Sequence, residues 1–221
     1  MKKEFNLSFG QSDFLKLVAI ILMTVDHIGM ILYPDVVALR IIGRLAFFIF
    51  AYQLAYSFNK TRDPKKFALR LLLFAIISQL PYYFAVGGNL NILFTLFLGF
   101  VAIWLTKKFG ILVGLIILPL AQICNVDYGF YGVGVILISY LLQSRIYFLA
   151  LAQTILFPIS LFVFGLLGGM SWVVWFEPVG FLVYPLIVHS PSLPFRLNKY
   201  FFYAFYPIHL LVLYIIMRIY F

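Results

Sequence analysis

Long apolar stretches broken by short polar turns run the length of the chain. They are Phe14 to Tyr33, Val36 to Phe58, Phe67 to Val86, Leu90 to Thr106, Gly110 to Cys124, Phe130 to Leu142, Ile146 to Leu167, Trp172 to Val188 and Tyr200 to Tyr220. A membrane-crossing helix needs roughly 20 predominantly apolar residues, so the pattern predicts about nine spans. The fifth and sixth stretches are short; they fit true short helices, tilted or broken helices, or one re-entrant pair. The runs do not alternate with the two-residue period of membrane β-barrel strands. The expected fold class is therefore all-α: a polytopic helical bundle in which residues 1–221 form one integral-membrane domain.

Charge placement tests that count. Lys2 and Lys3, then Lys60, Arg62, Lys65 and Lys66, then Lys107 and Lys108, Arg145, and finally Arg196 and Lys199 fall in alternate loops. The intervening turns, Pro34-Asp35, Gly87-Gly88-Asn89, Asn125 to Asp127 and Gly168 to Ser171, hold no Lys or Arg. Cytoplasmic loops collect Lys and Arg, so the N-terminus is expected in the cytoplasm, the C-terminus outside, and the chain multi-pass in the cell membrane. The first helix is expected to remain uncleaved, because Met1 to Asp13 is too polar and too short for a cleavable signal.

Composition agrees: of 221 residues 65% are hydrophobic and only 10% charged, with mean hydropathy +1.08. That leaves too little polar surface for a water-facing globule. The net charge of +9 sits in the loop clusters, which reads as an orientation signal and points away from nucleic acid. One cysteine, Cys124, allows no intramolecular disulfide. The chain lacks a phosphate-binding glycine loop, a His-Glu-x-x-His helix, a Gly-x-Ser-x-Gly elbow and an acidic metal cluster. Nucleotide triphosphate, serine-hydrolase and metal chemistry are not expected.

Titratable residues within or at the outer ends of the spans are the candidate chemistry: Lys16, Asp26, His27, Arg40, Arg44, Asp127, Glu177 and His209. A charge at a span centre costs roughly 2.5–3.5 kcal/mol on insertion scales, so such groups face the bundle interior and mark functional paths. Lys16 and His27 lie within about 20° of one helical face and roughly 16 Å apart along it. Lys16 reads equally as a snorkelling anchor. Asp26 and His27 point about 100° apart, so each needs a partner from another helix. Arg40 and Arg44, four residues apart, share a face and repel unless an anion or a carboxylate such as Asp26 lies between them. Asp127 and Glu177 can ring an outer vestibule, or Asp127 can cap the sixth span. His209, after Pro207, is either a hydrogen-bonded core imidazole or a reactive one.

Thr24-Val25-Asp26-His27-Ile28-Gly29, Arg40-Ile41-Ile42-Gly43-Arg44-Leu45-Ala46-Phe47, Ser78-Gln79-Leu80-Pro81, Asn91 to Leu96, Asp127-Tyr128-Gly129 and Tyr203 to His209, in this order over nearly the whole chain, resemble the TraX family. The resemblance implies kinship with transmembrane acyltransferases, including the acyltransferase-3 enzymes and heparan-alpha-glucosaminide N-acetyltransferase. Founding TraX proteins N-acetylate the amino terminus of conjugative pilin. Acyltransferase-3 members carry a basic residue, ten residues, then a His on their first helix, and Lys16 with His27 looks like that pattern.

The implied activity is transfer of an acyl group, most simply acetyl from acetyl-CoA, to an amine or hydroxyl of an envelope acceptor: a pilin N-terminus, glycan or lipid. His27 is then the general base, or the carrier of a transient acyl group, with Asp26 and Arg44 beside it. Lys16 and Arg40 are candidates for holding the donor, and Asp127, Glu177 and His209 lie on the acceptor side. Two other classes stay open. Buried charges spaced across a membrane also suit a proton- or anion-coupled transporter, and a non-enzymatic partner in an envelope assembly needs none of this chemistry.

Overall fold

The computed structural model describes residues 7–167, 179–180 and 182–220. Among these the chain is helical, with one isolated β-bridge between Leu90 and Val126. The helices are α1 (Phe9–Ile31), α2 (Val37–Lys60), α3 (Pro64–Ala85), α4 (Ile92–Phe109), α5 (Ile111–Leu115), α6 (Ile117–Ile123), α7 (Gly129–Leu141), α8 (Ile146–Leu167), α9 (Val183–Val188) and α10 (Lys199–Tyr220). Five of them, α1 to α4 and α10, are long and apolar enough to cross a membrane. Large aliphatic and aromatic side chains such as Leu112, Ile123 and Tyr147 stand exposed on the helices, as on a surface that lipid covers.

Local chemistry explains the boundaries. Helix α1 starts at Phe9, five residues before the first apolar run, because Ser8 and Gln11 form a reciprocal capping box. The polar Gln11-Ser12-Asp13 segment is thereby helical. Asp63 accepts from the Lys66 amide at the start of α3, and Asn91 from the Leu93 amide at the start of α4. The fifth apolar run, Gly110 to Cys124, is a broken helix: α5 ends at Leu115 and α6 begins at Ile117. Pro119 supplies the reason, since it has no N–H for the Leu115 carbonyl and its ring crowds that carbonyl. Of the expected span Trp172 to Val188, the last six residues form α9; most of the remainder, with Glu177, lies outside the described residues.

The chain divides into two compact units. The first comprises Met1–Phe50, Leu80–Gly87 and Ser171–Phe221. In it α1 packs on α10, and Leu15, Ala19, Phe48, Ile49, Ile187 and Leu210 are buried. The segment before α10 is fastened to the start of α1: Gln11 donates to the Ser190 carbonyl at 2.9 Å and Asp13 accepts from the Leu197 amide at 3.0 Å. The second unit comprises Ala51–Gln79 and Gly88–Met170. Here α4 packs against α5 and α7, and α7 against α6 and α8, around Phe100, Ile103, Val133, Val135 and Ile136. Polar ties cross this apolar packing. Asn91 donates to the Ala75 carbonyl and to Gln79, and Gln153 donates to Ser139.

Candidate functional site

Apart from Asp13 at the start of α1, the buried charge described in the first unit lies where α1 meets α2 and α10. Asp26 on α1 is 6% exposed, and Arg40 and Arg44 on α2 are 9% and 8% exposed. The four-residue spacing puts both guanidinium groups on one helical face, and Asp26 lies between them. Its Oδ2 is 2.7 Å from Arg40 and 2.5 Å from Arg44. Arg40 also donates to the Asp26 backbone carbonyl at 3.0 Å. The remaining oxygen, Oδ1, is buried and has no hydrogen-bond partner among the described residues.

Two glycines permit this approach. A Cβ on Gly43 would overlap the Cβ and Oδ1 of Asp26, and one on Gly29 would overlap Leu39. Small residues at a membrane-helix crossing let the backbones draw close. Here that closeness brings a short Asp side chain within reach of two arginines. Two guanidinium groups thus stand side by side in an apolar setting. Guanidinium groups so placed can stabilise negative charge developing on an oxygen.

His27, turned away from Asp26 as helical geometry requires, meets α10. Its Nδ1 is 2.7 Å from Nε2 of His209. The ring centres are 4.9 Å apart and the planes inclined by 25°, so the rings lie nearly end to end with the shared proton close to both ring planes. His209 Nδ1 donates to the Phe205 carbonyl at 2.9 Å, and the Phe205 ring stacks on His209 at 5.0 Å. A carbonyl can only accept, so the proton of a neutral His209 is on Nδ1 and its Nε2 is an acceptor. His27 Nδ1 must then donate. The chain of bonds from Phe205 through His209 therefore leaves His27 Nε2 with an unshared lone pair.

The expectation that Asp26 and His27 each need a partner from another helix holds, and the carboxylate between the arginines is Asp26. Of the named candidates, Asp26, His27, Arg40, Arg44 and His209 come together. Lys16 lies on the same unbroken helix, 3.0 Å from Asp13 Oδ1 and over the Phe202 ring. Asp13 is the participant that hydropathy reading missed, because it was counted with the polar segment before the first span. The signal was present, since a carboxylate three residues before Lys16 is its helical neighbour.

Asp127 belongs to the second unit. The reading of it as the cap of the sixth span is corrected: Tyr128, at φ 62°, occupies the N-cap of α7 and makes no side-chain cap bond. Asp127 acts there through its backbone, with its amide donating to the Leu90 carbonyl at 2.8 Å and its carbonyl accepting from the Thr95 hydroxyl.

Comparison with known proteins finds one matching family and several relatives. The family described as TraX protein matches residues 11–217. A probable fimbrial assembly protein FimC, serogroup H1, of Dichelobacter nodosus is 28% identical over 242 aligned positions, covering 94% of this chain and 96% of that protein. An uncharacterized protein of Rickettsia prowazekii (strain Madrid E) is 38% identical over 89 residues, 39% of this chain and 34% of the relative. Protein TraX of Escherichia coli (strain K12) is 38% identical over 77 residues, 34% of this chain and 31% of the relative. The aligned part thus spans about a third of the length of these last two relatives. No solved structure matches.

Proposed function

The chain belongs to the TraX family, and from that premise we propose that it is a pilus-associated integral-membrane acyltransferase that moves an acyl group, most simply acetyl, from acyl-CoA to an amine or hydroxyl of an envelope acceptor. The observation that carries this reading is the Phe205–His209–His27 chain of hydrogen bonds beside the Asp26–Arg40–Arg44 cluster. It holds an imidazole lone pair ready on His27 next to two buried guanidinium groups. The name of the Dichelobacter nodosus relative, a probable fimbrial assembly protein, supports a pilin-like acceptor. In the same reading the chain crosses the cell membrane nine times with its N-terminus in the cytoplasm, the arrangement that the alternating Lys and Arg loops favour.

His27 Nε2 takes the proton of the acceptor amine or hydroxyl as that nitrogen or oxygen bonds to the acyl carbon. Negative charge gathers on the acyl oxygen, and Arg44 and Arg40 stabilise it. As the bond to sulfur breaks, His27 returns the proton to the departing thiolate, so amide or ester and free thiol leave and the imidazole is neutral again. His209 holds His27 in the tautomer this cycle needs. Capture of the acyl group by His27 itself is the variant of the same chemistry. Lys16 meets the donor's phosphates, and its pairing with Asp13 keeps it oriented.

The test is a transfer assay on purified protein with acetyl-CoA and an amine acceptor, alongside melting temperatures during an acetyl-CoA titration. A ligand bound only by the folded state raises the melting temperature saturably. His27→Ala is expected to keep that rise and lose transfer by about 10²-fold or more. Full transfer by the variant would sink the assignment of the base. The same buried charges in membrane helices also favour a proton- or anion-coupled transporter, which predicts flux into liposomes without acyl-CoA and no acyl transfer.

A further inference from the structure

One end of the second unit gathers cations around a cluster of rings. Phe58 on α2 packs against Phe100 on α4 and Tyr140 on α7, with ring centres 5.0 and 5.6 Å apart, and Phe67 on α3 packs against Phe100 at 4.9 Å. The C-terminal end of α2, the N-terminal end of α3 and the C-terminal parts of α4 and α7 therefore converge. Lys107 stands over Phe58 and Arg70 over Phe67, each 5.5 Å from the ring centre. Lys60 stands over Tyr56 at 5.6 Å. A ring face orients a cation without cancelling its charge. Asp63 is the carboxylate of the α2–α3 turn, and it is 3.5 Å from Lys66; the second unit's other carboxylate, Asp127, lies in the turn before α7.

Two buried donors at this end lack an acceptor among the described residues: Arg70 Nε and Gln143 Nε2. Gln143 is anchored beside α2, since its Oε1 accepts from Asn59 at 3.0 Å. That leaves its amide N–H groups as the unsatisfied side. A buried donor left unsatisfied costs about 1–3 kcal/mol, so a pair of them beside several cations calls for an oxygen-rich anion.

We propose that this end of the second unit binds a phosphate group, with Arg70 and Gln143 donating to its oxygens and Lys107 adding positive charge beside them. The phosphate is that of an anionic phospholipid headgroup or of a soluble phosphate ester. Basic pockets between membrane helices hold anionic headgroups in this way. The site is independent of the histidine pair, which lies in the other unit.

The experiment compares melting temperatures of the full chain in nanodiscs of phosphatidylcholine alone, in discs containing phosphatidylglycerol, and in phosphatidylcholine discs with inorganic pyrophosphate added. A saturable rise is expected in one of the last two arms. Phosphatidylglycerol alone giving it identifies a lipid headgroup, and pyrophosphate giving it identifies a soluble ester. Arg70→Gln and the charge-neutral Gln143→Leu are expected to abolish the rise. A combined Lys65→Gln and Lys66→Gln variant, altering exposed charge only, is expected to keep it. If Gln143→Leu does not fold in phosphatidylcholine, Gln143→Glu keeps an acceptor for Asn59 and is expected to show the same loss. No rise in either arm overturns the proposal. So does a rise that survives both Gln143 variants and vanishes with the two lysines, which would mark diffuse attraction to a charged surface.

Discussion

At the scale of single residues, the decisive relation is between two imidazoles that are 182 positions apart in sequence. His209 is a positioning residue in the proposed reaction: it accepts from His27 Nδ1 and so dictates which nitrogen of His27 carries the lone pair. His209→Phe removes that acceptor, whereas His209→Gln offers an amide oxygen in its place. Transfer by the Phe variant is expected to fall on the order of 10²-fold in kcat, with KM for acetyl-CoA unchanged and partial recovery in the Gln variant. Equal loss in both variants, or a loss confined to KM, would remove His209 from the proton path. Asp26 illustrates the same dependence on context. Its sequence neighbour His27 is not its partner, because consecutive helical positions face about 100° apart.

At the scale of elements, the α1–α2 crossing rests on Gly43. Gly43→Ala would place a methyl group where Asp26 already sits, so the helices must separate and the ion cluster must stretch. Overpacking of this kind costs about 1–3 kcal/mol, and a lowered melting temperature checks it. The turn between α2 and α3 yields a pH prediction. Hydrogen bonding from the Lys66 amide, aided by the Lys66 side chain, holds the exposed Asp63 carboxyl below its ordinary range. A carboxyl with a depressed folded-state pKa stabilises fully above its unfolded pKa, and the contribution disappears as pH falls through the lower folded value. Protection of the first α3 amides against hydrogen exchange, corrected for intrinsic rate, is expected to decline over that acidic window in the wild type and to be flat in Asp63→Asn. A flat wild-type profile would show that the cap does not couple to α3.

At the scale of the whole molecule, hydropathy and turn residues determined much. Among the described residues, helices stand where most of the apolar runs predicted them, because a run of some twenty apolar residues has few ways other than helix to satisfy its backbone in lipid. Even the ambiguous fifth run carried its own explanation in Pro119. The sequence also marked five titratable residues that come together in the first unit, Asp26, His27, Arg40, Arg44 and His209, since charges in apolar runs are costly and conspicuous. Asp26 between the two arginines was one reading the sequence offered; deciding it, and finding the other pairs, was beyond its reach. That Asp26 bridges both arginines, that Asp13 holds Lys16 and the Leu197 amide together, and that His27 finds His209 depend on which helix faces meet. Equally, that two buried donors at the basic end of the second unit lack acceptors among the described residues is a property of packing. Composition and period describe one helix at a time, whereas a hydrogen bond between helices is decided within a few tenths of an ångström by how closely their backbones approach. At the α1–α2 crossing, tertiary packing against Gly29 and Gly43 sets that distance.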